Sequence, residues 1–306
     1  MARWTTKDIP GLTGRKAVVT GANSGLGYET SLALARAGAT VVLACRDEAK
    51  GALAIERIKT KKPDADVRLE SLDLANLKSV REFASGIADR HEGIDILVNN
   101  AGVMAIPRRE TADGFEMQFG TNHLGHFALT GLLMNELLAR SGSRILNVSS
   151  EVARIGRIKF DDLQSTRRYS KWIAYAQTKL ANQLFTLELD RRFASKGLIS
   201  VAAHPGYAAT NLQGLGPQMT GSKFMQRMTD LENAVFAQSA AMGALPTLYA
   251  VTNPTVRGAQ YFGPDQLFGT RGYPKQVSFV PQARSTETAE RLWSVSEELT
   301  GVRIPH

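Results

Sequence analysis

The chain has 306 residues, of which 43% are hydrophobic and 22% charged, as is typical of a soluble protein with a full core. Its net charge of +8 comes from basic residues scattered as singles and pairs, so we expect no nucleic-acid-binding tail. Cys45 is the single cysteine, which excludes an internal disulfide and a metal site built on several thiolates.

The N-terminal residues are largely polar, and no stretch approaches the roughly 18 apolar residues that a membrane span requires. We therefore expect no secretory signal, no membrane anchor and a cytoplasmic location. His123, His126 and His204 lack metal-ligand spacing, so we predict no metal site and interpret these histidines as structural.

Short apolar runs alternate with helix-length segments along the chain. The predicted strands cover residues 17–20, 40–44, 67–72, 94–99, 144–148, 199–203 and 259–262. The predicted helices cover residues 26–37, 48–61, 77–90, 114–139, 174–194 and 239–251. This order predicts an α/β fold, a Rossmann-type doubly wound parallel sheet of about seven strands with helices on both faces. Residues 67–72 alternate between apolar and polar side chains, which suits an edge strand.

No linker rich in Pro, Gly and Ser divides the chain, so we predict a single domain over residues 1–306. It has a short N-terminal arm, residues 1–14, and a C-terminal tail, residues 265–306. Two segments, residues 151–171 and 206–238, break the alternation after strands whose carboxyl ends border the ligand crevice. We interpret both as substrate-side insertions, with plain surface insertions as the alternative.

The first predicted strand runs directly into a glycine-rich loop, Gly21-Ala22-Asn23-Ser24-Gly25-Leu26-Gly27, and then into a helix. Glycines allow a tight turn and close approach of the backbone to a pyrophosphate, and the helix N-terminus supplies free N–H groups. This strand–turn–helix context predicts dinucleotide binding by Gly21, Asn23, Ser24, Gly25, Leu26 and Gly27.

The second predicted strand ends in Cys45-Arg46, where an NAD site would place a carboxylate. A guanidinium can hold the 2′-phosphate of NADP in a bidentate fashion. Arg46 therefore favours NADP(H), with NAD(H) still open, although a solvated arginine would give the same pattern. Asp47 is the nearby acid, two positions beyond the expected carboxylate.

Tyr175 and Lys179 lie four positions apart near the start of a predicted helix, which places both side chains on one face. A neighbouring ammonium stabilises phenolate and would lower the tyrosine pKa toward neutrality. This spacing is common by chance, so it needs support from other segments.

That support comes from four further segments: Asn99-Asn100-Ala101-Gly102, Asn122-His123-Leu124-Gly125, Asn147-Val148-Ser149-Ser150 and His204-Pro205-Gly206. Together with the glycine loop, and in this order from about residue 14 to 262, they resemble the short-chain dehydrogenase/reductase family. The segment that begins at Tyr175 looks most like the retinol-dehydrogenase-like branch, which also carries an insertion before the tyrosine. Membrane-bound enzymes of that branch carry an N-terminal apolar anchor, whereas this chain begins with a polar arm.

The resemblance implies a catalytic role for four residues. Tyr175 would exchange a proton with the substrate oxygen, and Lys179 would lower the tyrosine pKa and bind the nicotinamide ribose. Ser150, rather than Ser149, would polarise the carbonyl, and Asn122 would hold a water of the proton relay. The resemblance also implies cofactor contacts from Asp73, Leu74, Asn99, Ala101, Gly102, Tyr175, Lys179, Pro205, Gly206 and Thr210.

The expected function is that of an NADP-preferring oxidoreductase that moves hydride between nicotinamide and a small-molecule carbonyl or alcohol. One alternative is a non-catalytic NADP-binding sensor or scaffold, which should have lost Tyr175, Lys179 or Ser150. Another is a reductase of carbon–carbon double bonds on the same fold. The sequence leaves a homo-oligomer open and does not identify the substrate.

Overall fold

A computed structural model describes residues 3–90, 93–207 and 238–304. The strands within them are β1 Lys16–Thr20, β2 Thr40–Cys45, β3 Val67–Ser71, β4 Ile96–Asn99, β5 Arg144–Val148, β6 Ile199–Ala203, β7 Gln260–Gln266 and β8 Arg271–Val277. They form one sheet in the order β3-β2-β1-β4-β5-β6-β7-β8. All neighbouring pairs are parallel except β7 and β8, which are antiparallel.

Helices flank this sheet on both faces. They are α1 Gly25–Arg36, α2 Glu48–Lys61, α3 Leu77–Ala88, α4 Met117–Phe119, α5 Gly125–Leu132, α6 Met134–Leu138, α7 Lys171–Phe193, α8 Ala240–Thr252 and α9 Thr286–Thr300. A π-helical segment, Gly120–Leu124, joins α4 to α5, and a 3₁₀ segment, Glu151–Ile155, follows β5.

The central strands are buried on both faces because successive side chains point in opposite directions. Val19 packs into the cluster that contains Leu34 of α1 and Leu248 of α8. Its neighbour Val18 packs into the opposite cluster with Phe127 of α5. The continuous apolar runs in the sequence therefore correspond to a sheet enclosed between two helical layers.

The strand order reverses between β1 and β4. From β1 the chain adds strands toward one edge of the sheet, as far as β3, and from β4 it adds them toward the other edge. Such a reversal opens a crevice beyond the carboxyl ends of the two strands, where ligands of α/β sheets bind. The α/β fold and the edge position of residues 67–72 are as the sequence predicted.

The predicted C-terminal tail contains two elements that the sequence analysis missed. β8 carries Pro274 and exposed polar residues, and its antiparallel edge position accommodates a proline that cannot donate a ladder hydrogen bond. α9 buries Leu292 and Trp293 against α7 and α5. The sheet thus has one strand more than the seven expected.

The single helix expected over residues 114–139 is divided into α4, the π-helical segment, α5 and α6. Leu133, with φ −94° and ψ 5°, separates α5 from α6. The π-helical segment accommodates an extra residue per turn, a feature that occurs mostly at functional sites. It carries Asn122.

Candidate active site

The glycine loop connects β1 to α1 by a backbone that requires glycine at specific positions. Gly21 and Gly25 have φ values of +66° and +54°, in the left-handed region that side chains disfavour. A Cβ on Gly27 would clash with the carbonyl oxygen of Gly21. Ser24 precedes α1 and makes no side-chain capping hydrogen bond within the described chain, so N–H groups of the first helical turn remain available to an anion.

A cleft of about 250 Å³ opens beside this loop at the reversal point of the sheet. Eleven predicted cofactor-binding residues line it: Gly21, Asn23, Ser24, Gly25, Leu26, Gly27, Arg46, Asp73, Leu74, Ala101 and Gly102. The lining also includes residues that the sequence analysis did not select, namely Thr20, Ala44, Asp47, Lys50, Leu72, Asn100, Val103 and Thr121. Most of these residues adjoin a predicted residue or the end of a strand. Their position in the sequence could therefore have identified them as cleft residues.

Asn99 is not among the residues that line the cleft, and its side chain lies in the interior. Asn99 is 1% exposed, and its amide donates to Thr130 Oγ1 and Asn147 Oδ1 at 3.0 and 2.9 Å. The alternation of side chains along β4 turns Asn99 into the helical layer and places Asn100 at the cleft. Asn100 donates its side-chain amide to the carbonyl of Thr20 at 2.7 Å.

The end of β2 presents positive charge to the cleft. Arg46 is exposed there, and Lys50 lines the same cleft. The Asp47 carboxylate accepts a hydrogen bond from the backbone N–H of Lys50 at 3.0 Å and lies 3.0 Å from its ammonium. These hydrogen bonds lower the pKa of Asp47, so its negative charge is already engaged.

Tyr175 and Lys179 lie buried one turn apart on α7. Lys179 Nζ lies 5.5 Å from the centroid of the Tyr175 ring and donates to the carbonyl of Val148, at the end of β5, at 3.0 Å. This is the one acceptor that the described residues give the ammonium, which carries three N–H bonds. Two donors thus remain for a ligand.

The two serines after β5 have different environments. Ser150 acts on the Tyr175 side chain, whose pKa it lowers, and its Oγ accepts from the backbone N–H of Val152 at 3.3 Å. Ser149 donates to the carbonyl of Lys179 at 2.8 Å and accepts from Gln183 Nε2 at 3.2 Å. Ser150 is therefore the serine beside Tyr175, and Ser149 anchors α7 to β5.

Burial controls the protonation of this pair. It raises the pKa of Tyr175 above its ordinary value, and the interaction with Ser150 offsets only part of the increase. Burial also lowers the pKa of Lys179 to about 8. Burial therefore dominates the pKa of Tyr175, and the lowering expected from Lys179 stays a prediction.

Asn122 fixes the π-helical segment beside the cleft. Its side chain accepts from the backbone N–H of Val103 at 2.8 Å and donates to the Val103 carbonyl at 2.9 Å. It also donates to Thr178 Oγ1 on α7 at 3.2 Å. The Asn122 carbonyl accepts a hydrogen bond from His126 Nδ1 at 3.1 Å. Asn122 thus joins the cleft to the helix that carries Tyr175 and Lys179.

A polar network around Gln118, Glu116 and Tyr169 was not predicted from the sequence. Gln118 donates to Tyr169 Oη and to the carbonyl of Lys171 at 2.8 and 2.9 Å, and accepts from Ala105 N at 2.8 Å. The Glu116 carboxylate caps α4 and accepts from Tyr169 Oη at 3.2 Å. These contacts tie the start of α7 to the loop after β4. No local motif marks them, since their partners lie about 50 residues away in the sequence.

Pro205 and Gly206 follow β6 and do not line the 250 Å³ cleft. Gly206 has φ +65°, and a Cβ there would clash with the carbonyl oxygen of Thr270, so this turn requires glycine. Its N–H donates to His204 Nδ1 at 3.3 Å, and burial lowers the pKa of His204 to about 4. Thr210 and residues 208–237 of the predicted insertion lie outside the described residues.

In the described part of the chain, no group of three or more His, Cys, Asp or Glu side chains could hold a metal ion. Among the same residues, no helix has the length and apolar character needed to cross a membrane.

Comparisons with known proteins point to one family. The short chain dehydrogenase family matches residues 15–219. Human retinol dehydrogenase 13 is 43% identical over 96% of this chain and 87% of its own length. Human retinol dehydrogenase 11 is 42% identical over 96% of this chain and 88% of its own length.

Solved protein structures also share the fold of this chain. A putative uncharacterized protein from Mycobacterium paratuberculosis has a TM-score of 0.82 and 42% identity, and the match covers all of both chains. A short chain dehydrogenase from Shigella flexneri in complex with NADP has a TM-score of 0.64 at 21% identity, over 83% of this chain and 98% of its own. At that identity, the second likeness shows the shared fold.

Proposed function

The chain belongs to the short-chain dehydrogenase/reductase family, in its retinol-dehydrogenase-like branch, and we propose that it is an NADP-preferring member in which Tyr175 is the general acid and base. Membership makes it an NAD(P)-dependent oxidoreductase that acts on alcohol and carbonyl groups. The roles of individual residues, the preference for NADP and the substrate class are the proposed part.

The observation that carries the assignment is that Ser150 and Lys179 both flank Tyr175: Ser150 acts on the tyrosine side chain, and Lys179 lies one helical turn away. Two hydroxyl groups meet where a substrate oxygen could accept a hydrogen bond from each. A buried ammonium lies on the same side, close enough to stabilise negative charge on the tyrosine oxygen. This arrangement suits the reduction of a carbonyl to an alcohol and the reverse reaction.

The residues of the cleft fit a dinucleotide. Gly21 and Gly25 have positive φ and a Cβ on Gly27 would clash with the Gly21 carbonyl, so the tight loop depends on glycine, and the first turn of α1 would bind the pyrophosphate. Asp73 and Leu74 would contact the adenine, and Lys179 would bind the nicotinamide ribose with its free N–H donors. The nicotinamide, when bound, supplies or accepts the hydride.

The chain's own residues would handle the proton. Tyr175 is protonated at neutral pH because burial raises its pKa, so it is prepared to donate to the oxygen of a carbonyl substrate. Ser150 would donate a second hydrogen bond to the same oxygen and thereby polarise the carbonyl. The resulting phenolate would be stabilised by Lys179. General acid catalysis of this kind contributes about 10²–10⁴-fold to the rate.

The preference for NADP is supported by the charges at the end of β2. Arg46 and Lys50 line the cleft, and the carboxylate of Asp47 is engaged by Lys50. Cys45, at the position of the NAD-type carboxylate, is buried, and burial raises the pKa of its thiol to about 11. A neutral thiol and two cations favour a 2′-phosphate over a 2′-hydroxyl.

For the substrate, we propose an apolar alcohol–aldehyde pair, of which the relatives' names supply retinol and retinal as examples. Trp172, one turn before Tyr175, is 46% exposed, and its ring centroid lies 6.3 Å from that of Tyr175. Two further apolar side chains are exposed nearby in the sequence. Ile173 precedes Tyr175 on α7, and Ile155 ends the 3₁₀ segment that follows Ser150. Such side chains favour an apolar substrate at this edge.

The test is NADPH oxidation with a panel of aldehydes, ketones, steroids, quinones and retinal. We expect an aldehyde or ketone to be turned over and Tyr175→Phe to bind NADPH normally while losing turnover. Tyr249→Phe is the matched control, since Tyr249 lies on α8 against Trp4. Wild-type kcat in Tyr175→Phe would contradict the assigned acid. Turnover only of substrates with an activated carbon–carbon double bond would instead favour the reductase of such bonds.

A further inference from the structure

His126 is a buried histidine that lies between the cofactor cleft and Asn122. It belongs to α5 and is 1% exposed. One ring nitrogen, Nδ1, lies 3.1 Å from the carbonyl oxygen of Asn122, and the other, Nε2, lies 2.9 Å from Thr20 Oγ1. Thr20 ends β1 and lines the cleft, so the ring bridges the two halves of the site.

The hydrogen-bond partners of the ring determine its tautomer. The Asn122 carbonyl can only accept, so Nδ1 must carry the proton. Nε2 is then an acceptor and receives the hydroxyl proton of Thr20 at 2.9 Å, a shorter contact than the 3.3 Å from Thr20 Oγ1 to the carbonyl oxygen of Val98. Thr20 Oγ1 in turn accepts from the backbone N–H groups of Asn100 and Ala101, both at 2.9 Å. Every donor and acceptor of the ring is satisfied in this one arrangement.

The same partners disfavour the charged ring. An imidazolium would need an acceptor at Nε2, whereas Thr20 Oγ1 already receives two N–H groups there. Lys179 is the titratable group whose charge lowers the pKa of this ring, and its charge is positive. Burial and the Lys179 charge lower the pKa of His126 to about 4.

We propose that His126 is a positioning residue that, as a neutral Nδ1–H tautomer, holds the Asn122 carbonyl in place against the Thr20 corner of the cofactor cleft. This role rests on the proposed function, because it concerns the geometry of the cleft and of the residues around Tyr175. The hydrogen bond to Thr20 stabilises the cofactor cleft. The hydrogen bond to Asn122 stabilises the segment that leads to Tyr175 and Lys179.

Two substitutions separate these bonds. His126→Asn places an amide near the position of Nδ1, so it retains the bond to Asn122 and loses the one to Thr20. His126→Gln places an amide near Nε2, so it retains Thr20 and loses Asn122. We expect the Asn variant to raise the Kd for NADPH about tenfold with kcat nearly unchanged. We expect the Gln variant to lower kcat about tenfold and shift its pH profile with Kd nearly unchanged, each effect being of the size of one lost hydrogen bond.

His123→Gln is the control for the loss of a buried histidine, since His123 bonds Ser296 of α9 at 3.0 Å. It should lower the melting temperature without separating Kd from kcat. If both His126 variants changed Kd and kcat in equal proportion, or changed only stability, the proposed role would be overturned.

A second measurement does not depend on turnover. ¹⁵N NMR of the imidazole in the cofactor-free protein should show a neutral Nδ1–H tautomer for His126 at pH 7. An Nε2–H tautomer or an imidazolium would overturn the proposal even if Tyr175→Phe behaved as the proposed function requires. Conversely, an active Tyr175→Phe enzyme would contradict the proposed function and leave the tautomer result unaffected.

Discussion

Ser150 acts on the side chain of Tyr175, whereas the adjacent Ser149 donates a hydrogen bond to the carbonyl of Lys179. The two consecutive serines therefore serve different partners on the same helix. One lies where a substrate oxygen would bind, and the other holds that helix against β5. This difference can be measured.

Ser150→Ala should lower kcat by about 100-fold or more, because it removes a donor to the developing charge on the substrate oxygen. Thermal stability and NADPH affinity should change little, since the Ser150 side chain is only partly buried. Ser149→Ala should instead lower the free energy of unfolding by about 1–3 kcal/mol, because Gln183 and the Lys179 carbonyl lose a buried partner. Equal loss of kcat in both variants, measured per folded molecule, would contradict the division of roles.

Lys179→Met should stabilise the cofactor-free protein and weaken cofactor binding. Burial lowers the pKa of Lys179 in the folded protein to about 8, against an ordinary value of 10.5 for an exposed lysine. The unfolded state therefore binds more protons between pH 8 and 10.5, and this group makes stability rise with pH across that window. At pH 7, replacing the buried charge should add up to about 3 kcal/mol.

Denaturant titrations at pH 7 and pH 10 provide the measurement. The Val148 carbonyl keeps a hydrogen bond from Asn182 Nδ2 at 3.1 Å in the variant, so no acceptor is orphaned. Wild type should gain stability toward pH 10 relative to Lys179→Met. A variant that is less stable at pH 7 would show that the ammonium is better solvated than its burial implies.

The cofactor preference should depend on Arg46. We expect NADPH to bind more tightly than NADH, and the double variant Cys45→Asp/Arg46→Ala to reverse this, because a carboxylate repels the 2′-phosphate and accepts from a free 2′-hydroxyl. Dissociation constants from nicotinamide fluorescence measure both. Lys50→Ala alone should weaken NADPH binding and leave NADH binding unchanged. Equal dissociation constants for the two cofactors in the wild-type protein would contradict the preference.

Gly27→Ala should abolish cofactor binding, because the added Cβ would clash with the backbone carbonyl of Gly21. The control is Gly86→Ala in α3, where a Cβ would meet no described atom within 4 Å. That change should add about 0.5–1 kcal/mol to stability, since alanine is the better helix former. Calorimetry with NADPH and thermal unfolding separate the two effects. Normal affinity in Gly27→Ala would mean that the loop can rearrange at little cost.

The fold was predictable where burial dictated the pattern. The apolar runs of β1, β2, β4, β5 and β6 and the glycine loop follow from a sheet covered on both faces. β8 was not predictable, because an exposed edge strand with Pro274 carries no apolar run. The break in the helix at Asn122 was also missed, since the hydrogen bonds of Asn122 to Val103 and Thr178 come from outside the helix.

The residues of the candidate site were likewise predictable only where the local sequence marks them. Motif residues with local signals, such as Gly21 and Tyr175, could be selected from the sequence, whereas Gln118, Tyr169 and His126 depend on partners that only the fold brings close. Basic residues outnumber acidic ones in residues 151–171. The structure pairs Arg154 with Glu151 and Arg167 with Asp161, at 2.6 and 3.0 Å, which reduces the field that those residues present.

The environment of Cys45 has a chemical consequence beyond cofactor choice. Its sulfur lies beside the backbone of Ala22 and Asn23 in the glycine loop, and burial keeps it as a thiol rather than a reactive thiolate. Oxidants and alkylating reagents should therefore modify this single thiol only when the loop separates from the end of β2. The rate at which a maleimide labels the native protein would then report directly on opening of the cofactor cradle, and a bound dinucleotide should slow it.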